Sequence, residues 1–366
     1  MITQTTPAAD TAQLKRDALQ LLRQLIATPS FSGEEKQTAA HIAAFLESKG
    51  VAAQRKSNNV WARNRHYDET KPTLLLNSHH DTVKPNPAWT RDPFEAKVED
   101  GKLYGLGSND AGGCLAALTA AFLHFCERED LPFNLLLAAS AEEEISGPNG
   151  IESFLPELGR IDAAIVGEPT QMQLGIAEKG LLVLDCIAHG KAGHAARDTG
   201  VNAIYKAMRD IEWFITFQFP EVSPLLGPVR MSVTMIQAGT QHNVIPAECH
   251  FTVDVRVTEK YSNEEVLQVI RENTHSEVRA RSLRLRSSLI PLDHPLVQAG
   301  IALGLPYFGS PTTSDKALIS APALKMGPGD SARSHGADEF LYVQELEEAI
   351  DLYIALLEQF FKNTRA

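Results

Sequence analysis

The chain has 366 residues, with 46 acidic against 34 basic side chains and a formal net charge of -12. That length allows two domains with substantial cores, and an acidic chain with no clustered basic face argues against a nucleic-acid surface. Four scattered cysteines, Cys114, Cys126, Cys186 and Cys249, form no C-x-x-C pair. They predict buried thiols in a reducing, cytoplasmic compartment rather than a disulfide frame or zinc knuckle. The polar Met1 to Asp10 stretch lacks a signal-type apolar core, and no apolar run approaches membrane-spanning length.

Apolar positions at helical spacing (Leu14, Ala18, Leu21, Leu22, Leu25) predict a helix over 12–27 that stops before Pro29. Ser32 with Glu35 predicts a capping box for a second helix running to Lys49. Strands are predicted around 51–63 and 73–78, the second ending in Asn77-Ser78-His79-His80-Asp81-Thr82-Val83. Side chains alternate along a strand, so His79 and Asp81 share a side. A carboxylate there can hold one ring nitrogen while the other meets a metal, although a polar strand end facing solvent has the same composition.

Tyr104, Gly105, Gly107 and Ser108 predict a turn that presents Asp110 just ahead of a helix from about Gly112 to Cys126. An acid at a helix start is a common cap, but the flanking glycines place this one more sharply than a cap requires. Apolar strands follow at Asn134 to Ala139 and at 161–166, succeeded by Glu142-Glu143-Glu144 and by Glu168. Strands alternating with helices predict a three-layer α/β domain with a mostly parallel sheet, whose ligands sit at the carboxyl ends of strands. Three adjacent carboxylates repel one another unless something positive lies near. A solvated acidic helix start would also explain them, but with His79 and Asp110 at neighbouring strand ends a dication is the simpler account.

Composition changes after Lys179-Gly180. A strand (181–189), a helix (199–217), strands (229–237 and 248–257), a helix (262–275) and a strand (278–287) follow. That order is ferredoxin-like. It predicts a complete small domain, 180–287, inserted into a larger one formed by 1–179 and 288–366. The chain returns through Pro291 to Pro295, places His335 in a Gly-rich loop (Gly327-Pro328-Gly329-Asp330, then Ser334-His335-Gly336), and ends in an amphipathic helix from Val343 to Phe361.

The ordered segments SHHDTV, LYGLGSND, SAEEE, VGEPT, GKAGHAA, TQHNVIPAE and the late GPG and SH resemble the metal-dependent aminoacylase family of acetylornithine deacetylase and succinyl-diaminopimelate desuccinylase. The resemblance spans nearly the whole chain. It implies a zinc-exopeptidase-like catalytic domain with an inserted lid and dimerisation domain. It also implies two zinc ions, with cobalt or manganese as substitutes: one held by His79, Asp110 and Glu168, the other by Asp110, Glu144 and His335. Asp81 would orient His79, and Glu143, turned away from the ligand direction of Glu144, would be the general base. A cis peptide is implied at Asp110-Ala111.

In the small domain the resemblance implies that His194 reaches a partner subunit's site to stabilise an oxyanion, hence a homodimer, and that Asn243 contacts substrate. Arg256 alternates with Val255 and Val257, so it faces away from the apolar side. Its planar guanidinium suits a substrate carboxylate. The implied reaction removes the N-acyl group from a small N-acyl amino acid. Leu106, GKAGHAARDTGVNAIY and TQHNVIPAE lean toward an acetylornithine deacetylase of arginine biosynthesis, with succinyl-diaminopimelate desuccinylase, a dipeptidase or an aminopeptidase as alternatives. Lys84, Glu142, Ala111 and Gly112 depart from the family pattern without removing a ligand. A non-catalytic metal-binding homologue is the reading from another class, and the presence of Glu143 argues against it.

Overall fold

The computed structural model describes residues 10–197 and 199–364; the polar stretch ahead of Asp10 lies outside them. The chain forms two compact units. The larger runs up to Ile176 and resumes over Ile290–Phe308 and from Ser314; the smaller comprises Ala177–Leu289 and Gly309–Thr313.

The larger unit is built on a mixed sheet whose strand order is Ala53–Lys56, Asn59–Arg63, Asn134–Ser140, Thr73–His79, Ala163–Val166, Ala323–Lys325 and Leu174–Glu178. The four strands from Asn134–Ser140 to Ala323–Lys325 are parallel, and antiparallel strands flank them. Every residue of Thr73–His79 and Asn134–Ser140 is buried, which is why their centres, 74–76 and 135–139, read as unbroken apolar runs rather than alternating ones. The helix Gly113–Phe125 packs on the Thr73–His79 strand and against the helices Thr11–Ile26 and Val343–Asn363. A separate cluster joins Leu75, Leu136 and Val166 to Ile151 and Phe154 of the helix Ile151–Leu158, with Trp61 stacked on Phe154 at 5.3 Å. Helices therefore cover the sheet on both sides, as the predicted three-layer α/β architecture requires.

The smaller unit is a four-stranded antiparallel sheet in the order Arg230–Ala238, Glu248–Val257, Gly180–His189, Glu277–Ala280. Helices Ala203–Thr216 and Asn263–Asn273 complete the ferredoxin-like order. Strict alternation of burial along Gly180–His189 turns Leu182, Leu184 and Cys186 toward Val253, Val255, Phe214 and Ile270, which form its core.

Three local expectations are corrected. The predicted strand 278–287 pairs only over Glu277–Ala280, beyond which the polar 281–287 segment is irregular. The helix predicted from 199 starts at Ala203, capped by Asn202, because Val201 is held in a bridge to Lys191. Ser32 and Glu35 form no capping box. Ser32 Oγ donates to Asp81 at 2.7 Å, and the Glu35 carboxylate accepts from the backbone N–H of Gly33 and Glu142 and from Asn58 Nδ2. All four cysteines are free and buried. Among the described residues no helix is long and apolar enough to cross a membrane.

Candidate metal centre

His79 is the last residue of a central strand, paired in register with Ser140 of the next strand, and only 1% of it is exposed. The chain beyond Ser140 turns sharply, with Glu142 in the left-handed region at φ 55°, and delivers Glu143 and Glu144 beside His79. This turn, not a continued strand alternation, separates the two glutamates. Glu168 follows the strand Ala163–Val166, which pairs in parallel with the other edge of Thr73–His79.

Asp110 comes from a different kind of element. Gly105 and Gly107 have positive φ angles of 147° and 75°, and a Cβ on Gly107 would lie 2.6 Å from Thr82 Cγ2. The chain then makes a single wide turn over Ser108–Gly112, with Asp110 in extended backbone and a cis peptide between Asp110 and Ala111, before the helix begins at Gly113. His335 sits at φ 60° in the loop ahead of the strand Phe340–Tyr342.

These segments converge. His79 Nε2 lies 3.3 Å from Asp110 Oδ1, 3.8 Å from Glu168 Oε1 and 3.9 Å from Glu143 Oε2. His335 Nε2 lies 2.9 Å from Glu144 Oε2 and 3.7 Å from Asp110 Oδ2. Asp110 thus turns one oxygen to each histidine. Ligand atoms of His79 with Asp110 and Glu144, and of His79 with Glu143 and Glu168, lie within 4.8 Å of one another in each group. The second contains Glu143 where the resemblance expects Asp110.

Asp81 braces this arrangement. His79 Nδ1 is 3.0 Å from the Asp81 carbonyl oxygen and 3.4 Å from its Oδ1. The Asp81 carboxylate also accepts from the backbone N–H of Glu143 at 3.0 Å and Glu144 at 3.1 Å. His80 takes no part. Its ring is held between Thr38 Oγ1 and the Asn58 carbonyl, and burial pulls its pKa down to about 4.

The electrostatics are those of crowded anions. Burial, and then the Glu168, Asp315 and Glu144 charges, push the Glu143 carboxyl well above its ordinary range, against the pull of His79. Burial opposes the His79 imidazolium, but hydrogen bonds to Asp110 and Asp81 and the Glu143 charge outweigh it and raise its pKa. The hydrogen bond to Glu144 raises His335 to about 9.

Sequence reasoning missed the supports. Asp315 Oδ2 accepts from Ser140 Oγ at 2.5 Å and Asn77 Nδ2 at 3.0 Å, tying two adjacent strand ends together. Glu339 accepts three backbone N–H groups from Gly107, Asn109 and Asp110. Its carboxyl is pushed up to about 8, first by burial and then by the Asp110 charge. An acid four residues after His335 was a visible signal for Glu339; nothing around Asp315 offered one.

In the smaller unit, the two-residue strands Gly193–His194 and Val244–Ile245 pair, and the Ala195 N–H donates to the Asn243 carbonyl at 3.0 Å. His194 and Asn243 are thereby neighbours, both exposed. Arg256 lies on the less buried face of Glu248–Val257, as alternation predicts. Its Nε and Nη2 donate to Asp254 at 2.8 and 3.1 Å, so this guanidinium already holds a carboxylate.

The donor set of the larger unit fits divalent cations: two imidazoles and three carboxylates, with that of Asp110 between the histidines. Packed anions of this kind repel unless cations are shared among them, and imidazole with carboxylate oxygen is suitable ligation for zinc and similar ions.

Residues 75–359 match the family described as Peptidase family M20/M25/M40. A succinyl-diaminopimelate desuccinylase of Xanthomonas campestris is 29% identical over 374 residues, covering 94% of this chain and 98% of its own. Among solved structures, aminopeptidase PepT of Bacillus cereus shares the fold with a TM-score of 0.76 at 17% identity, over 94% of this chain and 98% of that one. YXEP of Bacillus subtilis, described as a dinuclear metal binding peptidase from the M20 family, has a TM-score of 0.72 at 18% identity, over 95% and 98% of the two chains.

Proposed function

The chain belongs to the M20/M25/M40 peptidase family, a family of metal-dependent hydrolases of amide bonds, and on that premise we propose that it removes the N-acyl group from an N-acyl amino acid. The supporting observation is Asp110, whose two oxygens face two histidines 3.3 and 3.7 Å away while Glu143 stands beside them without being the carboxylate between them. In this reading His79, Asp110 and Glu168 hold one zinc, and Asp110, Glu144 and His335 the other, with cobalt or manganese able to replace them. When bound, such a pair polarises the amide carbonyl and lowers the pKa of an attacking water.

The chain's own residues do the rest. Glu143 takes the proton of the attacking water and returns it to the amide nitrogen as the carbon–nitrogen bond breaks, a role suited to a carboxyl whose proton affinity burial has raised. Asp81 holds His79 in orientation and fixes the backbone of Glu143 and Glu144. His194 donates to the developing oxyanion, Asn243 contacts the substrate, and Arg256 binds its carboxylate. We read residues 180–287 as a lid through which two copies pair, each His194 serving the other copy's site. Exposed Tyr205, Met208, Ile215, Met235 and Ile236 on the smaller unit support that pairing. Four free cysteines support a reducing, cytoplasmic setting.

For the substrate, the motif strings around His194 and Asn243 favour an acetylornithine-type deacetylase of arginine biosynthesis. The desuccinylase relative favours N-succinyl-diaminopimelate as the second reading. Incubating the zinc-loaded protein with N-acetylornithine, N-acetylcitrulline, N-succinyl-diaminopimelate and a dipeptide, and measuring released amine, ranks them. The first reading expects the highest kcat/KM for N-acetylornithine. Cleavage of the dipeptide alone overturns the deacylase class.

A further inference from the structure

Glu339 lies in neither set of proposed ligands, yet it is only 3% exposed and its carboxylate accepts three backbone amides beside them. Its Oε1 accepts from Asn109 N at 2.8 Å and Asp110 N at 3.0 Å, its Oε2 from Gly107 N at 3.2 Å, and its carbonyl oxygen from Gly105 N at 3.0 Å. The 105–110 segment, with two glycines at positive φ, cannot satisfy these amides in a helix or a sheet ladder. An external acceptor with several lone pairs is needed, and a carboxylate provides them.

The other end of Glu339's segment carries His335. That segment is fastened by Asn86 Nδ2 to the His335 carbonyl at 3.2 Å, by Asp338 to the Thr90 and Arg91 amides at 2.9 and 3.1 Å, and by Asn109 Nδ2 to Ser334 Oγ at 3.3 Å. Of these residues Glu339 alone is bonded directly to the backbone of Asp110. We propose that Glu339 is a positioning residue that locks the Asp110 turn to the His335 loop, so that Asp110 can offer one oxygen to each metal position. Glu339 touches neither metal nor substrate; it acts through Asp110.

This inference rests on the ligand assignment above, and the test separates the two. Zinc affinity of the stripped full-length chain is measured by competition with a chromophoric chelator, alongside its thermal midpoint, for Glu339→Gln, Glu339→Asp, Asp110→Ala and Asp210→Asn. Asp210 is the control, a buried carboxylate of the smaller unit that accepts the His275 and Ser276 amides and belongs to neither set of proposed ligands. Glu339→Gln keeps the shape but turns one acceptor into a donor facing an amide. It is expected to weaken zinc binding by about 10-fold or more, the usual scale for supports of metal ligands, and to lower kcat more than it changes KM, with excess zinc restoring part of the rate. Asp210→Asn is expected to lower the thermal midpoint and leave zinc affinity unchanged.

Wild-type zinc affinity in Glu339→Gln, with Asp110→Ala weakened, overturns the positioning role alone. Wild-type affinity in Asp110→Ala overturns the ligand assignment. If Glu339→Gln fails to fold, Glu339→Asp, which keeps the charge one methylene short, must fold and lose affinity; failure of both to fold makes Glu339 a requirement for folding and overturns the proposal.

Discussion

The two regions that carry candidate functional residues are built in opposite ways. Around His79 the groups are buried, arise at the ends of parallel strands or at a glycine-shaped turn, and are cross-braced by Asp81, Asp315 and Glu339. His194 and Asn243 instead lie on an exposed ribbon of two-residue strands, and among the described residues the side-chain bond of His194 runs locally to Ala196 N–H at 3.1 Å. One region is held by buried cross-bracing. The other is placed by a short, solvated pairing, of the kind that opens at low free-energy cost.

The contrast can be broken most severely at Glu143. Glu143→Ala is expected to lower kcat by about three orders of magnitude or more while zinc stoichiometry holds at the wild-type value, measured by elemental analysis of the same sample. Undiminished turnover would remove it as the base. His194→Ala should cost about 100-fold in kcat with little change in KM, the scale of one lost oxyanion donor. Its zinc content and thermal midpoint should not move, because the described side-chain bond of His194 is a local one, to Ala196 N–H. A fall in metal content would mean the regions are less independent than their construction implies.

Asp81→Asn should have the smallest effect of the three, about 10- to 100-fold on activity or metal affinity. It keeps the size but cannot accept everywhere the carboxylate does. Equal losses from Asp81→Asn and Glu143→Ala would show that positioning, rather than proton transfer, dominates the centre.

The sequence exposes this organisation unevenly, for physical reasons. The buried strands were legible because a strand covered on both faces must be apolar throughout, as in Thr73-Leu74-Leu75-Leu76. His79, Asp110, Glu144, Glu168 and His335 were visible because ionisable groups at the ends of such strands, or in glycine-rich loops, demand an explanation. Asp315 was not, and the position of Glu339 behind His335 hinted at a role without revealing its partners, since the partners of both are main-chain amides or side chains more than 170 residues away. Ser32 with Glu35 shows the reverse error. The local pattern satisfies a capping rule, yet a carboxylate 49 residues on takes the hydroxyl. Local chemistry proposes, and long-range hydrogen bonding decides.

Because one carboxylate, that of Asp81, receives the Ser32 hydroxyl and two successive amides while its own carbonyl meets an imidazole, four positions share a single mechanical anchor. Free energies of substitution at 32, 79, 143 and 144 should therefore fail to sum with that at 81: a double-mutant cycle between Asp81 and Glu143 should return a large coupling, the second change costing far less once the first is made.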